Sequence, residues 1–145
     1  MVVLFDQDPL IYKAIHKVVD FQTIKQWFYQ GKSKDWMHQE ITDLAINRMC
    51  NMADTIFEQI EATGISVDDV EYYITVCARS KRKRNYPDYK IKRKPNKWVN
   101  MVRKYLIDKN YAVHNDEWES DDLIADKARE LGETEALICT LDKDF

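Results

Sequence analysis

Short apolar runs alternate with longer amphipathic segments along most of the chain. The runs are rich in Val, Ile, Leu, Phe and Tyr, which is typical of β-strands. The first run is almost wholly apolar, which indicates a strand buried on both faces of a sheet. The runs cover residues 2–6, 70–77, 111–114 and 136–141.

The segments between these runs repeat their apolar residues at helical spacing. The clearest stripe covers residues 37–60 and has Ser33 as a possible N-cap. Further helices are predicted after Pro9, after Pro95 and over residues 119–131. Strands that alternate with helices predict an α/β fold with a central, mostly parallel sheet flanked by helices.

The length of the chain predicts a single domain over residues 1–145. An apolar content of 45% is enough for a core, and only 3 Gly and 3 Pro argue against long disordered segments. Cys50, Cys77 and Cys139 are widely spaced and form no metal-binding pair, so we expect reduced thiols in an intracellular, cytoplasmic protein. Neither a signal peptide nor an apolar run of membrane-spanning length is found, so no membrane partner is expected.

Charge is strongly segregated, although the net charge is only -3. Residues 79–104 contain twelve of the 22 Lys and Arg residues and one acid, Asp88. Tyr86, Tyr89 and Trp98 lie among these basic residues and add surfaces on which bases can stack. The tract therefore predicts contact with nucleic acid, and the plain alternative is a solvated run of charge.

Acidic residues cluster where predicted strands end and where one predicted helix begins. The carboxyl ends of parallel strands meet at one crevice, so we expect these carboxylates to converge. Oxygen ligands without His or Cys suit Mg²⁺ or Mn²⁺, and two such ions can activate water against a phosphodiester. When each cluster is considered alone, acids at such positions more often cap a helix or lie in a loop than bind a metal ion. The clusters are Asp6 with Asp8, Glu119 with Asp121 and Asp122, and Asp142 with Asp144.

Four segments resemble motifs of the flap endonuclease and 5′–3′ exonuclease superfamily, in the same order and at similar spacing. Residues 6–14 resemble the first motif, in which a metal-binding Asp precedes Gly-x-x-Leu-Leu-Tyr-Arg-Ala. Residues 86–93 resemble Tyr-Pro-Glu-Tyr-Lys-x-x-Arg, and residues 118–125 resemble Glu-Ala-Asp-Asp-Val-Ile-Ala. Residues 140–145 resemble Thr-x-Asp-Lys-Asp-Leu, and small bacteriophage exonucleases of the family also use Asp-Lys-Asp-Phe. The resemblance implies a PIN-like 5′-nuclease domain.

The resemblance also implies roles for individual residues. It assigns binding of Mg²⁺ or Mn²⁺ to Asp6, Glu119, Asp121, Asp122, Asp142 and Asp144. It places Lys90 and Arg93 as catalytic residues facing the scissile phosphate, with 79–109 as a basic arch or clamp segment whose arch proper is 94–109. The nucleic-acid contacts that we expect are Arg79, Lys81, Arg82, Lys83, Arg84, Tyr89, Lys90, Lys92, Arg93, Lys94 and Lys97.

Two departures from the family pattern change what is expected of the chain. The family carries a second metal-binding Asp at the end of its second strand, whereas no acid lies between Glu71 and Asp88 here. The family also continues beyond its last motif with a helix–turn–helix element that grips duplex DNA. The chain is therefore expected to be incomplete at its C-terminus, as a truncated protein, half of a split protein or a reduced homologue.

The leading interpretation is a divalent-metal-dependent 5′–3′ exonuclease or structure-specific flap endonuclease. Its expected substrate is DNA, as a flap, a 5′ end or an RNA-primed duplex. Two alternatives stay open at this point. One is a catalytically weak or inactive nucleic-acid-binding or interaction module on the same scaffold. The other is a PIN-type ribonuclease, which uses a similar acidic site.

Overall fold

A parallel three-stranded sheet lies at the centre of the computed structural model, which describes residues 1–75 and 96–141. The strand order is β2-β1-β3, so the N-terminal strand lies in the middle. Val2 to Asp6 pair with Asp69 to Tyr73 on one side, and Val2 to Phe5 pair with Ala136 to Cys139 on the other. The strands are β1 (Val2–Asp6), β2 (Asp69–Tyr73) and β3 (Ala136–Cys139).

Helices cover both faces of this sheet. The described part of the chain has an α/β architecture, as the sequence pattern predicts, and none of its helices is long and apolar enough to cross a membrane. The helices are α1 (Asp8–Val18), α2 (Phe21–Tyr29), α3 (Lys34–Ala62), α4 (Lys97–Asp108) and α5 (Ser120–Leu131).

Alternate side chains of β1 divide the core between the two faces of the sheet. Val3 and Phe5 are buried in the larger cluster, together with residues of α1, α3 and α4. Leu4 points to the opposite face, where it packs with Tyr73 and with Ile124 of α5. Because consecutive strand residues point to opposite faces, a wholly apolar run is what a central strand between two helical layers requires.

The helix α3 follows its apolar stripe closely. The Ser33 side chain accepts a hydrogen bond from the Trp36 backbone N–H at 3.1 Å, which confirms the predicted N-cap. Ile41, Ala45 and Met49 recur every four residues and are buried against the rest of the core. The helix packs against α1 and α4, and so forms the base of the larger layer.

The helix predicted after Pro95 is α4, which is capped by the Asn96 side chain. Val99, Val102 and Leu106 are buried in the core, so this helix is anchored along one face. The basic arch or clamp predicted over 79–109 includes this helix. Residues 76–95 lie outside the described residues, and the arch stays a prediction.

Three strand predictions differ from the structure, and the last predicted strand ends at Cys139, before Thr140 and Leu141. The second strand ends at Tyr73, before Ile74 and Thr75. The strand predicted over 111–114 is reduced to a single bridge, in which the Val113 backbone N–H donates to the Tyr72 carbonyl at 2.7 Å and the Val113 carbonyl accepts from Ile74 at 3.1 Å. Asn110, just before this stretch, has a φ of 60°, in the left-handed region.

Candidate active site

Polar residues from four elements meet at the carboxyl edge of the sheet. Asp6 is the last residue of β1, Thr75 follows β2 and Thr140 follows β3. Ser120, at the start of α5, contacts Asp6 and Thr75 through its side chain. The fold thus brings together one end of each strand and one helix N-terminus, as parallel topology requires. We call the group Asp6, Asp8, Thr75, Arg103, Ser120 and Thr140 the edge network.

The Asp6 carboxylate is buried, with only 4% of the residue exposed. Its Oδ1 accepts from the Ser120 hydroxyl at 3.0 Å and from the Asp8 backbone N–H at 3.3 Å. Its Oδ2 accepts from the Thr140 hydroxyl at 3.1 Å. Hydrogen bonds from three different segments therefore fix the orientation of this carboxylate.

The same surroundings make ionisation of Asp6 costly. The pKa of Asp6 is raised from 3.8 to about 6. Burial is the largest cause of this rise, and the negative charge of Asp8 is the second. The hydrogen bonds from Ser120, the Asp8 backbone and Thr140 oppose the rise in pKa only in part. A bound cation would relieve this cost, since an opposite charge stabilises the ionised form.

Ser120 joins the two aspartates. Its hydroxyl oxygen lies 3.0 Å from Asp6 Oδ1 and 3.0 Å from Asp8 Oδ2, so its one proton can be donated to either carboxylate. Thr75 holds this hydroxyl in place, because its own Oγ1 donates to Ser120 Oγ at 3.2 Å and accepts from the Ser120 backbone N–H at 2.9 Å. The start of α5 is therefore fixed against the ends of β1 and β2.

Asp8 has a different role, as the acceptor of an ion pair. The Arg103 guanidinium of α4 donates to Asp8 Oδ1 from Nη2 at 3.1 Å and from Nε at 3.3 Å. Both Asp8 carboxylate oxygens also lie 3.1 Å from the Thr75 backbone nitrogen. Arg103 packs over the Tyr12 ring, with its Cζ 5.7 Å from the ring centroid. Asp8 thus ties α1 to α4, to α5 and to the end of β2.

A second acidic group occupies the first turn of α5. Glu119, Asp121 and Asp122 each offer a carboxylate oxygen within 4.8 Å of the others, a spacing at which one metal ion could be held. Glu119 is only 5% exposed, whereas Asp121 and Asp122 are partly exposed. Negative side chains at this position also interact favourably with the helix dipole. We call these three residues the α5 acidic cluster.

The structure describes only some of the site residues that the sequence predicts. Asp6 and the α5 acidic cluster are described, and Ser120 links the two. Lys97 is exposed on α4, where its Nζ lies 4.6 Å from the centroid of the Trp98 ring. The remaining site residues lie outside the described ranges: Asp142, Asp144, Arg79, Lys81, Arg82, Lys83, Arg84, Tyr89, Lys90, Lys92, Arg93 and Lys94.

Four residues of the edge network were not among the predicted site residues. Thr75, Ser120 and Thr140 are small hydroxyl residues near the ends of predicted elements. This position is the one feature of the sequence that indicates a place for them in the site. The sequence places Arg103 in the basic tract and gives no sign that it pairs with an aspartate. Its pairing with Asp8 joins residues 95 positions apart, which periodicity alone does not show.

Comparison with known proteins adds no further constraint. The chain matches no protein-family model, and neither a characterised protein nor a solved structure gave a match.

Proposed function

We propose that the chain is a divalent-metal-dependent nuclease of the PIN-like 5′-nuclease type, acting on DNA at the carboxyl edge of its sheet. One observation carries the proposal. The buried Asp6 carboxylate is joined through Ser120 to the helix whose first turn holds the α5 acidic cluster. Acidic groups from separate parts of the chain are thus held at one edge, in the order of the motifs that resemble the 5′–3′ exonuclease superfamily.

The residues present fit a hard divalent cation. Three carboxylates within 4.8 Å supply oxygen ligands of the kind that Mg²⁺ and Mn²⁺ prefer. Burial and the negative charge of Asp8 raise the pKa of Asp6, so a cation bound nearby would stabilise its ionised form. Glu119, Asp121 and Asp122 would hold the ion, with Asp6 directly or through water, and Asp142 and Asp144 would complete the set.

A divalent ion held by these carboxylates would supply a nucleophilic water and stabilise the charge on the leaving oxygen. The protein's own contribution is to orient these carboxylates and to bind the phosphate. Ser120, Thr140 and the Asp8 backbone hold Asp6 in one orientation, so no reorganisation is needed during the reaction. Lys90 and Arg93 face the scissile phosphate in this proposal, with the other residues of the basic tract binding the DNA backbone.

The proposal includes an intracellular location, with which the free thiols of Cys50 and Cys139 are consistent.

The binding-module alternative has its own support. Arg103 places a guanidinium beside Asp8, and the Asp6 oxygens already accept three hydrogen bonds. A metal ion at Asp6 would have to compete with these donors and would meet a nearby positive charge. A chain that binds nucleic acid but cleaves it weakly would follow from a site of this kind.

A cleavage assay separates these functions. A labelled 5′-flap DNA and a labelled single-stranded RNA are incubated with the protein in Mg²⁺, in Mn²⁺ and in EDTA. We expect metal-dependent cleavage of the flap that Asp121→Asn lowers at least a hundredfold. Asp126→Asn on the same helix is the matched control, because Asp126 is exposed, pairs with Arg129 and does not belong to the α5 acidic cluster.

The outcomes lead to different conclusions. Preferred cleavage of the RNA would favour the PIN-type ribonuclease. Binding of DNA without cleavage in either metal would favour the binding module. Equal effects of Asp121→Asn and Asp126→Asn would show that the α5 acidic cluster is not the site.

A further inference from the structure

A surface groove of about 420 Å³ lies between α1 and α3, outside every residue assigned so far to nucleic-acid binding. Arg48 and Gln59 are the first and last α3 residues that line it. Leu141 also lines it, and the preceding residue, Thr140, donates to Asp6. The groove therefore reaches the neighbourhood of the edge network.

The charge of the groove is positive. Lys13 of α1 and Arg48 of α3 are exposed in its walls, and none of the described residues that line it is acidic. Within residues 1–75 and 96–141, neither cation forms a salt bridge with a carboxylate. Two cations are thus available to an anionic ligand in a molecule whose net charge is -3.

The other residues that line the groove suit a nucleic-acid strand, which combines phosphates with flat bases. Asn51 and Gln59 present side-chain amides, which can donate to phosphate or sugar oxygens. The Thr55 hydroxyl donates to the Asn51 carbonyl of its own helix, so its oxygen remains an acceptor. Met52 and Ile56 are partly exposed and add an apolar surface against which bases can pack.

We propose that this groove binds the backbone of a single nucleic-acid strand and leads it to the carboxyl edge of the sheet. From Arg48 to Gln59 the helix α3 extends about 17 Å at 1.5 Å per residue. That length corresponds to about five nucleotides of a strand stacked as in a duplex, at roughly 3.4 Å per phosphate, and to fewer nucleotides of an extended strand. The proposal rests on the nucleic-acid substrate of the proposed function, and it adds the path by which one strand approaches the site.

Binding without cleavage provides the test. The intact chain is titrated in EDTA against a fluorescein-labelled single-stranded DNA and against an RNA of the same sequence, at several NaCl concentrations. We expect the double variant Lys13→Ala/Arg48→Ala to weaken binding. Its plot of log K against log salt should be shallower by about 1.4, since each phosphate contact on a single strand contributes about 0.7.

Each groove variant has a control variant with the same change in net charge. Lys127→Ala/Arg129→Ala removes the same charge from the far part of α5, where both residues pair with acids of their own helix, and should leave the slope unchanged. Gln59→Glu places one negative charge in the groove and should weaken binding. Gln26→Glu places it on an exposed residue of α2 and should not.

Each outcome decides the proposal. A loss of binding confined to the groove variants supports the proposal, whether the ligand is DNA or RNA. The ligand that binds more tightly identifies the kind of strand that the groove takes. Equal losses in the groove and control variants would overturn it in favour of nonspecific attraction, and unchanged binding in the groove variants would overturn it directly. The cleavage assay is separate, so a nuclease that does not use the groove and a groove without nuclease activity give different results.

Discussion

Asp6 and Asp8 are two residues apart and have opposite surroundings. Asp8 has the Arg103 guanidinium at 3.1 Å, and both of its oxygens accept hydrogen bonds. Asp6 is surrounded by hydroxyls and a backbone N–H, with a negative neighbour and no cation among the partners that the structure gives it. The sequence could identify both as acids at a strand end, but only the fold shows that Asp8 pairs with a guanidinium of the same chain whereas Asp6 accepts from hydroxyls and a backbone N–H.

The pKa of Asp6 predicts a pH dependence of stability. Between about pH 4 and about pH 6 the folded protein holds a proton that the unfolded chain has lost, so stability falls as pH rises through this window. At about 1.4 kcal/mol for each tenfold change in proton affinity, the loss is about 3 kcal/mol. Urea unfolding in EDTA, compared for the wild type and Asp6→Asn, should show this fall only in the wild type. A constant difference between the two profiles would contradict the prediction.

The Asp8–Arg103 pair predicts a measurable coupling. Both side chains are only 17% exposed, so removing one partner leaves a poorly solvated charge. Asp8→Asn should destabilise the fold by about 2 kcal/mol, and the double-mutant cycle with Arg103→Gln should give a coupling of about 1–2 kcal/mol. The neighbouring Lys104–Asp108 pair is exposed and should give about 0.3–0.5 kcal/mol. Similar couplings for the two pairs would refute a special role for Asp8.

Among the elements, those with a buried face were predictable. The helices α1, α3, α4 and α5 each direct residues into the core at helical spacing, and the pattern found them. The helix α2 is absent from the predicted elements; its Ile24 and Trp27 pack only partly buried against the core, and Phe21, Phe28 and Tyr29 are exposed. The segment 111–114 was overpredicted because its composition suits a strand, whereas only Val113 has a partner in β2.

The exposure of α2 predicts that it is the least protected of the first three helices. It has no buried residue, whereas α1 buries Leu10, Ile11, Ala14 and Ile15. Backbone amides open more readily where few apolar contacts hold them. Native-state hydrogen exchange followed by mass spectrometry should show α2 exchanging well before α1, and α3 serves as the protected reference. Equal protection of α1 and α2 would contradict this expectation.

At the scale of the whole molecule, topology assembles the site. The sequence could predict a mostly parallel sheet with acids at its carboxyl edge, because strand patterns and acid positions are local features. It could not predict the hydrogen bonds that join Asp6 to Ser120 and to Thr140, since these residues are 114 and 134 positions apart. Which acids share an ion depends on side-chain orientation, and no periodicity encodes that.

Metal binding at the assembled edge should stabilise the entire fold. A ligand that binds only the folded state adds about 2.7 kcal/mol at a concentration one hundred times its Kd. Thermal unfolding at neutral pH should therefore shift upwards as Mn²⁺ is added. Asp121→Asn should abolish the shift and Asp126→Asn should keep it. A shift of equal size in both variants would mean that Mn²⁺ binds elsewhere.

The middle position of β1 has a consequence for synthesis on the ribosome. The strand emerges first, yet its two neighbours are encoded about 65 and about 135 residues later. A nascent chain can pair β1 with β2 early, while Thr140 and the α5 acidic cluster are still inside or behind the exit tunnel. Asp6 can therefore meet Ser120 and Thr140 only after these two residues have left the exit tunnel, so the edge network is among the last parts of the described chain to form.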